Sequence, residues 1–154
     1  MAEFRTGVRL ALDWGKARVG VAASDATGTL AYPVETVAAQ RALVRIPELV
    51  VEYEPIEIVL GLPVDLRGER GIAAGFVLER ASELAAVTSV PIVLTDERLS
   101  TVAASRRLGQ AGKSARKQRA VIDQAAAVEI LQAALEAERR GVRPEAWQMK
   151  ETQA

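Results

Sequence analysis

Near residue 43 the spacing of apolar residues changes from a period of two to a helical period. Before that point, three apolar runs with short links predict strands over residues 8–13, 18–23 and 30–37. Consecutive strands with such short links favour an antiparallel meander. Beyond it, helical segments alternate with short apolar runs, which favours parallel strands separated by helices.

The second half of the chain supplies this alternation. A helix begins near Leu43 and ends at Pro55, and it is followed by a strand over 56–60, a helix over 72–87 and a strand over 91–94. Two more helices follow, one from Ser100 or Thr101 to about Leu108 and a long Ala-rich one over 117–140. We therefore predict an α/β fold with a five-stranded mixed sheet and helices on both faces. Residues 1–144 form one domain in this interpretation, and residues 145–154 form a flexible tail.

The absence of two residue types limits the chemistry that this chain can perform. Its 154 residues include no Cys and no His. Disulfides, thiolate or imidazole nucleophiles and His-ligated zinc are thereby excluded. An enzyme of this composition has to rely on carboxylates, hydroxyls, Lys or a bound ion, and hard oxygen ligands favour Mg²⁺ or Mn²⁺. We also expect a cytoplasmic protein, because no apolar stretch has the length of a signal peptide or a membrane span.

Positive charge is concentrated in one part of a chain whose formal net charge is zero. Residues 98–122 contain seven cations and no acid. Such a run is either a solvated face or a contact surface for a phosphate backbone. The candidate phosphate contacts are Arg18, Arg98, Lys113, Arg116, Lys117 and Arg119. We also expect the loop over 109–114 to close over a nucleic acid.

Three acidic residues are the candidates for a catalytic site. Asp13 ends the first predicted strand, Glu97 follows the last, and Asp123 lies early in the final helix. Carboxylates that converge at one sheet edge repel one another unless a cation joins them, so their convergence predicts a metal site. Each also has an ordinary structural interpretation: a turn cap for Asp13, and acids favoured by a helix dipole for the others.

Asp13 also belongs to an Asp-x-Gly pattern that continues to Gly20. Glycines in such a strand-turn-strand allow a phosphate or a metal to approach the backbone. Actin-like and sugar-kinase ATPases carry the same pattern, so a phosphotransferase is one alternative. Those enzymes enclose ATP between two such domains, however, and this chain has the length of one.

Four sequence blocks resemble those of the YqgF/RuvX family. They are Asp-Trp-Gly-Lys-Ala-Arg-Val-Gly-Val-Ala-Ala-Ser-Asp over 13–25, Gly-Leu-Pro to Ala over 61–74, Asp-Glu-Arg-Leu-Ser-Thr over 96–101, and Gly-Lys-Ser with Ile-Asp-Gln-Ala-Ala-Ala over 112–127. The blocks occur in order within residues 8–135. One departure is that Lys16 stands one place early, before Ala17 and Arg18. Asp25 matches the first block but lies at the far end of its strand, and we assign it no catalytic role.

The resemblance implies a ribonuclease H-like fold and a nuclease that matures the 5′ end of precursor 16S ribosomal RNA. It also implies that Asp13, Glu97 and Asp123 correspond to the acidic triad of the family and would hold Mg²⁺ or Mn²⁺. Two alternatives stay open: a Holliday junction resolvase acting on branched DNA, and a non-catalytic RNA-binding factor in ribosome assembly. In each case the expected partner is a nucleic acid, without a membrane, for a monomer or a weak homodimer.

Overall fold

The computed structural model describes residues 3–64, 70–99 and 116–149, with the backbone alone for residues 116–119. Its strands are β1 (Arg9–Trp14), β2 (Arg18–Ser24), β3 (Ala31–Ala38), β4 (Glu57–Leu62), β5 (Ile92–Asp96) and β6 (Glu145–Ala146). Its helices are α1 (Ala42–Tyr53), α2 (Ile72–Ala85) and α3 (Arg116–Arg139). The strands form one sheet in the order β3-β2-β1-β4-β5-β6.

Strand pairing follows the prediction. β1, β2 and β3 form an antiparallel meander, and β4 and β5 extend the sheet in parallel from β1. Parallel strands need crossover connections, and here these run through α1 between β3 and β4 and through α2 between β4 and β5. The helix predicted over residues 100–108 and the loop over 109–114 lie outside the described residues.

The prediction of five strands was wrong by one. β6 pairs antiparallel with β5, so the sheet has six strands. This strand falls in the segment that we assigned to a tail. Its backbone continues into Trp147, whose N–H donates to the carbonyl of Ile92 and whose ring packs against the core. Residues 145–149 therefore differ from a flexible tail, because they cover the edge of β5.

Helices cover both faces of the sheet, as the sequence predicts. α1 and α2 pack on one face over a core of larger aliphatic side chains, with Ile46, Leu49 and Leu84 fully buried. α3 packs on the other face, where Ala11, Ala22 and its own alanines permit a close approach. Within the described residues, no helix is long and apolar enough to cross a membrane.

At the amino ends of β1 and β4, charged side chains are buried in a network. Arg9 is 1% exposed and donates to Glu138, near the end of α3, at 3.1 Å. Arg5 donates to both Glu138 (2.6 Å) and Glu57 (2.9 Å). The ring of Phe4 lies under the Arg9 guanidinium. This network ties the segment before β1 to β4 and α3.

Candidate functional site

One row of residues crosses five strands on the face that α3 covers. Gly20 of β2 pairs with Thr36 of β3 on one side and with Asp13 of β1 on the other. The parallel register of β1 and β4 continues to Asp13 beside Gly61, and Gly61 pairs with Thr95 of β5. Asp13 thus stands between two glycines, at the carboxyl end of its strand and only 6% exposed.

The two glycines let α3 lie directly on the sheet beside Asp13. A Cβ at Gly20 would collide with the backbone carbonyl of Asp123. A Cβ at Gly61 would lie 2.5 Å from Cδ1 of Ile130, two turns further along α3. From the sequence, we predicted that Gly20 lets a phosphate or a metal approach the backbone. In the structure it is the helix backbone that approaches, and this contact brings Asp123 next to the strand pair that carries Asp13.

Polar contacts hold this part of α3 in place. The hydroxyl of Thr36 donates to the carbonyl of Ala120 at 2.7 Å, and the amide of Gln124 donates to the same hydroxyl at 3.1 Å. Arg18 donates from Nε to Oδ2 of Asp123 at 2.6 Å. Sequence reasoning missed Thr36 and Gln124, because a partner 88 residues away leaves no local signal.

Glu97 begins the short 3₁₀ turn Glu97–Leu99 that follows β5, and α3 contacts this turn. Its side chain is buried, at 9% exposure. Burial, together with the neighbouring charge of Asp96, raises the pKa of the Glu97 carboxyl above its ordinary value. A buried carboxylate of this kind gains stability from any cation that reaches it.

Asp96 and Arg98 pair with each other beside this turn. The Arg98 guanidinium donates to the Asp96 carboxylate at 2.7 Å. Hydrogen bonds from Arg98 hold the pKa of Asp96 below its ordinary value. Asp96 is next to Thr95 in β5, and strand alternation points it to the opposite face of the sheet from Thr95. Arg98, a predicted phosphate contact, is thus half-exposed and bound to a neighbouring acid in this structure.

Asp25, which matched a family block, has a structural task. Its carboxylate accepts hydrogen bonds from the Thr27 hydroxyl (2.7 Å) and from the backbone N–H of Thr29 (2.8 Å) and Leu30 (3.1 Å). It is therefore the cap of the turn between β2 and β3, at the end of β2 away from Asp13.

Asp13 of β1 and Asp123 of α3 are joined through Gly20, and Glu97 follows β5 in a turn that α3 contacts. Over residues 3–64, 70–99 and 116–149, no three acidic side chains are arranged to hold a metal ion. The predicted cation Lys113 lies outside the described residues, and of Arg116, Lys117 and Arg119 only the backbone, in the first turn of α3, is described. The grouping of Asp13, Glu97 and Asp123 around one ion therefore stays a prediction.

The donor chemistry fits a hard divalent cation. Asp13 and Glu97 are buried carboxylates, and Asp123 has a guanidinium as its partner in this structure, which means that a positive charge already occupies this edge. All three groups offer oxygen ligands of the kind that Mg²⁺ and Mn²⁺ prefer. Gathering the three around one ion requires side-chain rotation, above all of Asp123 away from Arg18.

A similar fold occurs in a solved structure. Thermus thermophilus RuvC in complex with a Holliday junction substrate superposes with a TM-score of 0.58 at 17% identity, over 91% of this chain and 99% of that chain. At this identity the likeness concerns the fold alone, which is of the ribonuclease H-like class.

Sequence comparison is more specific. A protein of Cutibacterium acnes is 54% identical over 137 residues, 88% of this chain and 86% of the relative, and one of Streptomyces avermitilis is 56% identical over 142 residues, 88% and 89%. Both carry the name "Putative pre-16S rRNA nuclease". The RuvX family model, described as Holliday junction resolvase, matches residues 7–137. The chain belongs to the RuvX family.

Proposed function

We propose that this chain is a nuclease that hydrolyses phosphodiester bonds and matures the 5′ end of precursor 16S ribosomal RNA. The relatives at 54% and 56% identity, which this chain matches over most of their length, are named for such an activity. The ribonuclease H-like fold supplies the scaffold on which RuvC acts on a nucleic acid. The proposed cofactor is Mg²⁺ or Mn²⁺.

The observation that carries the proposal is the contact of Gly20 with the backbone of Asp123. Because Gly20 pairs with Asp13, this contact brings acids from β1 and α3 to one point of the sheet. Asp13 is buried and Asp123 is partly exposed with Arg18 as its partner, and like charges on neighbouring elements favour a cation between them. The two acids support a site at which a cation is bound.

In this proposal Asp13, Glu97 and Asp123 hold the ion. When bound, a divalent ion lowers the pKa of a coordinated water and stabilises the charge of the transition state. Burial favours the neutral form of the metal-free Glu97 carboxyl, and a bound ion would favour its charged form as a ligand. Arg18, Arg98 and the cations Lys113, Arg116, Lys117 and Arg119 would hold substrate phosphates.

Replacing Asp13 tests the proposal. Asp13→Asn keeps the shape of the side chain and removes its charge, so cleavage of a precursor 16S RNA in Mn²⁺ should fall by more than about 100-fold, since an ion contributes several kcal/mol to the transition state. The matched control is Asp25→Asn, in which an amide oxygen can still cap the turn. Equal cleavage by Asp13→Asn and the wild type would overturn the proposal.

A second candidate function is the resolution of branched DNA, which the description of the RuvX family model favours. A symmetric four-way junction needs two cuts, and hence two copies of the site. Incubating the protein with Mn²⁺ and each substrate in parallel separates the two functions. Preferential cleavage of the junction, by a protein that sediments as a dimer, would favour the resolvase.

The cationic segment offers a further test of nucleic-acid contact. Reversing the charge of Lys113, Arg116 and Lys117 should weaken RNA binding and reduce its dependence on salt, because each lost phosphate contact lowers the slope of log K against log salt by about 0.7–0.9. An unchanged slope would mean that this run is a solvated face. Binding that persists in EDTA without any cleavage would favour the non-catalytic RNA-binding factor.

A further inference from the structure

Arg18 is a hydrogen-bonded cationic partner of Asp123, one of the predicted acids. Arg18 begins β2, two residues before Gly20, so both lie on the face that α3 covers. Its Nε donates to Asp123 Oδ2 at 2.6 Å, and the two side chains are 37% and 19% exposed. The pair thus lies at the rim of the site, within reach of solvent and of a substrate.

The backbone beneath this pair is fixed, whereas the side chains can move. Gly20 prevents the Asp123 backbone from coming closer to β2, and the Thr36 hydroxyl bonds to Ala120 one turn earlier. Only rotation about the Asp123 side chain can turn its carboxylate from Arg18 towards Asp13. In this structure Oδ2 of Asp123 accepts a short hydrogen bond from Arg18, so an ion that takes this oxygen as a ligand has to compete with the guanidinium.

We propose that Arg18 is a positioning residue that occupies Asp123 until a divalent cation replaces it, and that the released guanidinium then turns to a substrate phosphate. The inference rests on the proposed function, because it takes Asp123 as an ion ligand. A partly exposed Arg–carboxylate pair at the rim of the site is open to exchange with a competing cation. Planar guanidinium also suits bidentate contact with phosphate. The exchange would couple occupation of the ion site to substrate binding.

The exchange can be followed directly at the Arg18 side chain. In the ¹⁵N-labelled full chain, the Nε–Hε resonance of Arg18, assigned by its loss in Arg18→Lys, should shift as Mg²⁺ is added. Arg45 provides an internal control, because its Nε donates to Glu35 at 2.8 Å on a different part of the surface. Its resonance should stay in place over the same titration.

The outcomes of this titration distinguish failure of the Arg18 exchange from failure of the ion site itself. If the backbone amides around Asp13 and Gly20 shift with Mg²⁺ while Arg18 Nε–Hε does not, the exchange is overturned and the ion site of the proposed function stands. If no amide near Asp13 responds, the ion site itself fails, and the exchange fails with it.

Affinity for Mn²⁺ provides a second measurement. Because Arg18 competes for Asp123, Arg18→Gln should tighten Mn²⁺ binding by about two- to fivefold, the factor that corresponds to an exposed ion pair. Lys16→Gln is the control for general electrostatics, since it removes an exposed charge from the same turn. Free Mn²⁺ measured by electron paramagnetic resonance gives both constants. Equal tightening in the two variants, or weaker binding in Arg18→Gln, would overturn the proposal.

Discussion

At the amino ends of β1 and β4, two arginines face two glutamates, whereas the carboxyl ends of β1 and β5 collect acids. In the first region, Arg9 and Glu138 are almost fully buried and joined by a hydrogen bond. In the second, Asp13 and Glu97 are buried beside α3, and the Arg18 guanidinium contacts Asp123. Charges of both signs are thus paired at the amino ends, whereas acids predominate at the carboxyl ends, where we propose that a cation binds.

The largest effect on stability is expected at the balanced end. Glu138→Gln removes one charge from a network of two arginines and two glutamates, which leaves a buried cation without its counter-ion. Unfolding in urea should show a loss of about 3–5 kcal/mol. Glu136→Gln, an exposed neighbour on α3, should change stability by less than about 0.5 kcal/mol. A similar small change in both variants would contradict the contrast between the two ends.

A methyl group at Gly20 should disturb the acidic end in a different way. Its Cβ meets backbone atoms of Asp123, which cannot rotate aside as a side chain would. Gly20→Ala should therefore displace α3, cost about 1–3 kcal/mol and abolish cleavage.

The matched control for that substitution lies in α2. Gly75 has nothing within 4 Å of an added Cβ, so Gly75→Ala should stabilise the protein by about 0.5–1 kcal/mol. Normal cleavage by Gly20→Ala would mean that the position of α3 is not set by this contact.

Neutralising an acid at the carboxyl end should raise the free energy of unfolding, whereas Glu138→Gln should lower it. Burial raises the pKa of Glu97, so its ionised form opposes folding. In metal-free buffer at pH 7, Glu97→Gln should raise the free energy of unfolding by about 0.5–2 kcal/mol. The same variant should lose nuclease activity. The exposed Glu52→Gln serves as the control. A loss of stability in Glu97→Gln would show that the carboxylate has a structural role.

Lowering the pH should have the smallest effects on stability, and their signs should differ between the two ends. Burial alone raises the pKa of Glu138, but hydrogen bonds from Arg5 and the charge of Arg9 outweigh it, so that pKa lies below its ordinary 4.5. The stabilisation from Glu138 is present above pH 4.5 and is lost as the pH falls through the lowered pKa.

For Glu97 the sign is reversed. Its pKa is raised, so the penalty for its charge is complete above that pKa and disappears as the pH falls towards the ordinary 4.5. The gain from Glu97→Gln should therefore shrink between pH 7 and pH 4 in urea unfolding. An equal gain at both pH values would contradict the assignment of the penalty to ionisation.

The sequence predicted the regular elements well because their periodicity is local. Three apolar runs and two helix-strand repeats were enough for the five longer strands and for the division into an antiparallel and a parallel part, but not for the strand order, in which β4 lies between β1 and β5. β6 was missed because two residues cannot establish a period. The buried network at the amino end was missed because Arg9 and Glu138 are 129 residues apart, and a charged residue in an apolar strand does not reveal its partner.

For the candidate site, sequence reasoning placed Asp13 and Asp123 on neighbouring elements, whereas the grouping of the three carboxylates stays a prediction. Backbone position follows from strand order, whereas a carboxylate that binds either Arg18 or an ion depends on rotamers and on what is bound. The register that sets Gly20 and Gly61 on either side of Asp13 could not be predicted from the sequence either, since it depends on the pairing of separate strands.

The central claim is that Asp13, Glu97 and Asp123 gather around one divalent cation. Crystals of the full chain soaked in Mn²⁺, with data collected for anomalous scattering, test it most directly. The account predicts an anomalous peak within about 2.0–2.2 Å of carboxylate oxygens from all three residues. A peak bound elsewhere, or one that contacts a single one of these carboxylates, would contradict it.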